Sequence, residues 1–149
     1  MTDSIRVMPE QPHIRSLTLV VVDDHDHARD ALVRRLDSDG RIQVVGATAS
    51  VDDAVRLVRD HAPHIVLIDT RREDGRGLDV VLALASEPEA LRPLVVVHNA
   101  FFDADAWSAA RLAGATLWLL KSIDVDALFR QLSEAVVREL PRWRWDARD

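Results

Sequence analysis

From Leu17 onward, short apolar runs alternate with longer amphipathic stretches. Residues 17–22, 42–47, 65–68, 94–97 and 116–120 are rich in Val, Ile and Leu. Each run is short and ends in polar residues, which predicts five strands. Between them the apolar positions recur at helical spacing. Residues 27–36 place Ala28, Ala31, Leu32 and Leu36 on one side and stop at Asp39-Gly40. Ser50-Val51-Asp52-Asp53 has the form of an N-cap with an acid at the third helical position, and its helix ends near His61, ahead of Pro63. Further helices are predicted over 78–85, over 103–113 with Gly114 closing it, and over 124–140 with Pro141 stopping it.

Strands that read as continuous apolar runs suit a parallel sheet buried on both faces. Regular alternation with helices implies right-handed crossovers. The predicted fold class is therefore α/β: a doubly wound, five-stranded parallel sheet in a three-layer sandwich. Residues 17–140 form the domain. Residues 1–16, polar and holding Pro9 and Pro12, are expected to be a flexible N-terminal extension, and 141–149 a C-terminal tail or truncated linker.

The length of 149 residues fits one domain, and 48% hydrophobic content is enough for a core. A net charge of −6 argues against direct nucleic-acid binding by this domain. The absence of cysteine excludes disulfides and thiolate metal sites. The first residues lack the apolar core of a signal peptide, and no run approaches the ~18 apolar residues of a membrane span. No membrane contact and a cytoplasmic location are expected.

Ligands of such sheets bind beyond the carboxyl ends of the strands. Asp23 and Asp24 follow the first strand, Asp69 the third, His98 and Asn99 the fourth, and Lys121 the fifth. A parallel sheet brings them to one rim. Three neighbouring carboxylates repel one another unless a cation or a proton intervenes. Hard oxygen donors at a shallow, wet site suit Mg²⁺. Mg²⁺ with a lysine opposite would neutralise a phosphoryl group in transfer, and one carboxylate would be the nucleophile, giving an acyl phosphate. Among 19 basic residues Lys121 is the single lysine, and it falls at this rim.

Four segments, in this order, carry a family resemblance: Val21-Val22-Asp23-Asp24-His25, Ile65-Val66-Leu67-Ile68-Asp69, Asp74-Gly75-Arg76-Gly77-Leu78, and Gly114-Ala115-Thr116-Leu117-Trp118-Leu119-Leu120-Lys121. Residues 17–140 resemble the receiver domain of two-component response regulators, nearest to the NarL/FixJ type, which has a flavodoxin-like fold. The resemblance implies that Asp69 is the phosphoacceptor. It implies that Asp24 binds Mg²⁺ directly, that Asp23 assists, and that the backbone carbonyl of Arg71 is a further ligand. Lys121 would bridge to the phosphoryl group. The implied partner is a sensor histidine kinase, with homodimers through a face made by the fourth helix, fifth strand and fifth helix, or through one made by the first and fifth helices. Many such regulators carry a helix-turn-helix output domain after the receiver; this chain has none, so it is expected to be either a stand-alone receiver or a piece cut in the linker of a transcription regulator.

The chain departs from the family pattern in places. Asn99 stands where the family has Thr or Ser, and its amide can donate but is longer than a hydroxyl. Glu73 stands where the acceptor loop usually holds proline. Trp118 occupies the aromatic switch position. Phe101 and Phe102, just past Asn99, are placed to shield the site from water. These departures motivate an alternative: an atypical receiver acting as a phosphorylation-independent protein–protein or dimerisation module.

Plainer readings stand beside these. Asp23-Asp24 has the form of a helix start, Asn99 of a helix cap, and Trp118 of core filling. His25 and His27 beside Asp24 and Asp26 suggest a transition-metal cluster, but neighbours at a helix start are expected to point apart. His61 and His64 flank Pro63 and are expected to be solvated. Arg142-Trp143-Arg144-Trp145 is expected to be a terminal linker packing its tryptophans on the domain or on a neighbour.

Overall fold

The computed structural model describes residues 14–146. The elements run β1 (Leu17–Val22), α1 (Asp26–Asp37), β2 (Ile42–Thr48), α2 (Val51–His61), β3 (Ile65–Ile68), α3 (Gly77–Ala85), β4 (Leu94–Asn99), α4 (Ala104–Ala113), β5 (Leu117–Leu120) and α5 (Val125–Glu139), followed by a 3₁₀ turn at Arg142–Arg144. The five strands form one sheet in the order β2-β1-β3-β4-β5, and every pairing is parallel. This is the doubly wound arrangement expected from the alternation of elements.

Alternate strand residues feed two separate cores, because successive side chains leave a strand on opposite faces. Leu17, Leu19, Val21, Ile65, Leu67, Leu94 and Val96 pack with α1 and α5, against Leu36, Leu128 and Leu132. Val20, Val22, Val66, Ile68, Val95 and Val97 pack with α2, α3 and α4, against Val58, Val81 and Leu84. Full burial of each such side chain contributes about 1.5–3 kcal/mol. Both faces of β3 are buried along its whole length, which is why its sequence shows no polar alternation.

Side-chain caps fix where the helices start, and so how the strand-end loops run. Ser50 Oγ accepts from Asp53 N at 3.2 Å, as its capping pattern predicted. Asp103 and Asp124 accept from Ala106 N and Ala127 N, each at 2.8 Å. β4 extends two residues beyond its predicted end, since His98 and Asn99 pair with Leu119 and Leu120 of β5. Gly77 opens α3 against the end of β3, and a Cβ there would collide with the backbone carbonyl of Thr70.

Most of the expected N-terminal extension lies outside the described residues, but Ile14 is buried in the α1/α5 core. At the other end the 3₁₀ turn folds back onto the domain. Arg144 donates to the carbonyls of Glu89, Arg92 and Pro63, and Trp145 packs against the α1/α5 core. His64 is enclosed by this turn rather than solvated. Its Nδ1 accepts from Thr18 N at 3.1 Å, its Nε2 lies 3.0 Å from the Arg144 carbonyl, and burial lowers its pKa.

Candidate functional site

The parallel sheet brings Asp23, Asp24, Asp69, Asn99 and Lys121 together at the carboxyl ends of β1, β3, β4 and β5. Backbone pairing fixes the rim: Asp69 N donates to Val22 O at 3.0 Å, and Lys121 N to Asn99 O at 2.8 Å. Asp23, Asp69 and Asn99 are all buried.

Lys121 Nζ lies 2.8 Å from Asp23 Oδ2 and 2.6 Å from Asp69 Oδ2, so one ammonium joins two carboxylates. Burial pulls the lysine pKa down, but the bonds to Asp23 and Asp69 outweigh it and the net shift is upward. Burial raises Asp23, while hydrogen bonds from Lys121 and from the backbone and ring of His25 outweigh it and leave the carboxyl below its ordinary value. Asp69 Oδ1 accepts from Arg71 N at 2.8 Å. Asp24 Oδ2 accepts from Glu73 N at 2.9 Å, which ties the acceptor loop to β1.

His25 belongs to this cluster, contrary to the expectation that neighbouring side chains diverge. It is the N-cap of α1, with extended backbone angles (φ −95, ψ 101), so its ring swings back over the strand end. Its Nδ1 lies 2.8 Å from Asp23 Oδ1, 3.2 Å from Asp24 Oδ1 and 3.9 Å from Asp69 Oδ2. The bond to Asp23 raises its pKa. Asp23, Asp24 and His25 each offer a ligand atom within 4.8 Å of the others. His27 is not part of this group. Asp24 Oδ1 is buried and meets no protein donor beyond the His25 ring at 3.2 Å, which leaves it capacity that a cation would take up.

Asn99 is not a helix cap. Its Oδ1 accepts from Thr70 N at 3.0 Å, and its Nδ2 donates to Thr70 Oγ1 at 2.9 Å. Thr70 was missed by sequence reasoning, because a lone threonine after a strand carries no periodic or charge signal. Beside this pair opens a cavity of about 470 Å³, lined by Thr70, Asn99, Phe101, Phe102, Ala106 and Trp118 among others. Trp118 packs edge-on against Phe102 and Trp107, at ring-centroid distances of 5.5 and 6.2 Å. Its indole Nε1 is buried without a hydrogen-bond partner. Phe101 and Phe102 are themselves exposed.

A buried acidic rim on a five-stranded parallel α/β sheet, crossed by one lysine, defines a receiver-type signalling switch. The family model for the response regulator receiver domain matches residues 19–133, and the chain belongs to that family. It is therefore a receiver domain of two-component response regulators, a family whose general function is to be phosphorylated by a kinase. It is 32% identical over 114 residues to the DNA-binding transcriptional activator DevR/DosR of Mycobacterium tuberculosis, covering 76% of this chain and 52% of that protein. It is 28% identical over 122 residues to the transcriptional regulatory protein DegU of Brevibacillus brevis, covering 81% and 50%. The chain thus spans about half the length of these curated relatives. Among solved structures, the signal receiver domain of the putative response regulator NarL from M. tuberculosis matches with a TM-score of 0.66 at 28% identity, covering 83% of this chain and 95% of that one. Among the described residues no helix is long and apolar enough to cross a membrane.

Proposed function

We propose that Asp69 is the residue phosphorylated, by a sensor histidine kinase, in a Mg²⁺-dependent reaction. The single ammonium of Lys121, held between Asp23 and Asp69, carries this reading. A carboxylate oxygen of Asp69 attacks phosphorus, an O–P bond forms, and the bond from phosphorus to the donor's leaving group breaks. Lys121 stays within reach of the added oxygens and offsets their charge. The Arg71 N–H on Oδ1 orients the carboxylate.

Asp24, Asp23, Asp69 and the Arg71 carbonyl are the groups that would hold the ion, and the buried Asp24 Oδ1, met only by the His25 ring, supports the fit. When bound, Mg²⁺ supplies charge neutralisation at the phosphoryl oxygens. Asn99 and Trp118 would form the switch, since both line the cavity beside the acceptor. Exposed Leu112 of α4 and Leu120 of β5 suit an α4-β5-α5 dimer face, and an α1/α5 face is the alternative. In this reading the domain works in the cytoplasm and binds no nucleic acid itself. The DNA-binding relatives support a transcription regulator as the whole protein. It would act as a switch and turn over no substrate other than its own phosphoryl group.

Borohydride reduction after treatment with acetyl phosphate and Mg²⁺ should convert one aspartate, Asp69, and peptide mapping locates it. Modification at another carboxylate would overturn the assignment. The second reading, a phosphorylation-independent interaction module, is favoured by one observation: the Asn99 amide is engaged by Thr70 rather than directed at Asp69.

A further inference from the structure

Asn99 and Thr70 are joined at two points, the Asn99 carbonyl to the Thr70 N–H and the Asn99 amide to the Thr70 hydroxyl. Asn99 is only 2% exposed, so water competes little for these bonds. Thr70 follows Asp69 directly, and the peptide held by Asn99 is therefore the one that leaves the acceptor. On its other side the Thr70 carbonyl is packed against Gly77 with no room for a Cβ. The acceptor loop is gripped from both directions.

A phosphoryl group on Asp69 brings strong acceptor oxygens that need donors. Lys121 Nζ is already in place, and the Arg71 N–H is already on Asp69 Oδ1. The Thr70 N–H and the Asn99 amide are further donors at this rim, and in the resting form both serve the Asn99–Thr70 pair. We propose, resting on the reading of Asp69 as the acceptor, that Asn99 and Thr70 form a clamp holding the acceptor loop in its resting conformation. Thr70 is then a positioning residue that acts through Asn99, restraining the acceptor loop at rest. Phosphorylation opens the clamp, because the new oxygens outbid a pair of neutral hydrogen bonds for the same donors. The adjoining cavity, with Trp118 on its wall, leaves space for the two side chains to turn.

The test compares wild type, Thr70→Val and Thr70→Ser in two measurements. One is the ¹⁵N-resolved side-chain amide signal of Asn99 in the unphosphorylated protein. The other is the rate of phosphorylation by acetyl phosphate with Mg²⁺. Valine keeps the shape and removes the hydroxyl. It should move the Asn99 amide signal and raise the rate about fivefold, the worth of one neutral hydrogen bond. Serine should leave both near wild type. Asn99→Ser opens the clamp from the other side and should also raise the rate, so the outcome does not hang on one variant's folding. An unmoved Asn99 signal in Thr70→Val, or equal rates in all the proteins, would overturn the clamp alone. No adduct on any of them would overturn the acceptor reading and the clamp with it.

Discussion

Lys121 Nζ sits 2.6 Å from Asp69 Oδ2, and the same ammonium bonds Asp23 at 2.8 Å. The lysine is thus a structural counter-ion before any phosphoryl group arrives. Lys121→Ala leaves two largely buried carboxylates facing each other. Removing one partner of a buried ion pair is strongly destabilising, but the Lys121 side chain is 26% exposed and its interaction is partly screened. We expect a loss of about 1–2 kcal/mol at pH 7 without divalent cation, by urea denaturation. Saturating Mg²⁺ should recover part of it. A stability unchanged by Lys121→Ala would contradict the counter-ion role.

Asp24 gives a separate test of the cation site. An ion that binds only the folded state stabilises it by RT ln(1 + [L]/Kd), about 2.7 kcal/mol at a hundredfold excess over Kd. Mg²⁺ should therefore raise the melting temperature of wild type. Asp24→Asn should abolish most of that rise while leaving the metal-free melting temperature within a few degrees. Equal Mg²⁺ responses in the two proteins would remove Asp24 from the ligand set.

His98 makes stability depend on pH. It is buried on β4, and burial, together with the nearby positive charges of Lys121 and Arg35, lowers its pKa to about 4, against the attraction of Asp69 and Asp23. Below about pH 6.5 the unfolded chain takes up a proton that the folded chain refuses. This stability is fully present above 6.5 and declines as pH falls towards 4, by up to about 3 kcal/mol. His98→Leu should flatten that part of the profile in denaturation experiments at several pH values. An unchanged slope would place the acid sensitivity elsewhere.

Gly77→Ala tests the close approach of α3 to the acceptor loop. The added Cβ meets the backbone oxygen of Thr70 and not the end of a flexible side chain, so the backbone itself must shift. We expect a loss of about 1–3 kcal/mol and a displaced Asn99 side-chain amide signal. Gly75→Ala, at φ +69 but with open space around it, should cost stability without moving that signal.

The rim was legible in the sequence because a parallel sheet converts strand ends into neighbours. Once the five apolar runs were read as parallel strands, Asp23, Asp24, Asp69, Asn99 and Lys121 had to converge. What stayed hidden depends on backbone detail or distant partners. His25 joins the cluster only because it caps α1 in an extended conformation. Thr70 gains its meaning from Asn99, 29 residues away. His64 looked solvated beside Pro63, and it is covered by Arg144, 80 residues later.

The central claim, that Asp69 accepts a phosphoryl group, is tested most directly by intact mass. Wild type, Asp69→Asn and Lys121→Ala are incubated with acetyl phosphate, with Mg²⁺ or with a chelator. The expected result is a gain of one phosphoryl group in wild type with Mg²⁺, its loss with the chelator, and none in Asp69→Asn. An adduct on Asp69→Asn, or no adduct on wild type with Mg²⁺, would contradict it.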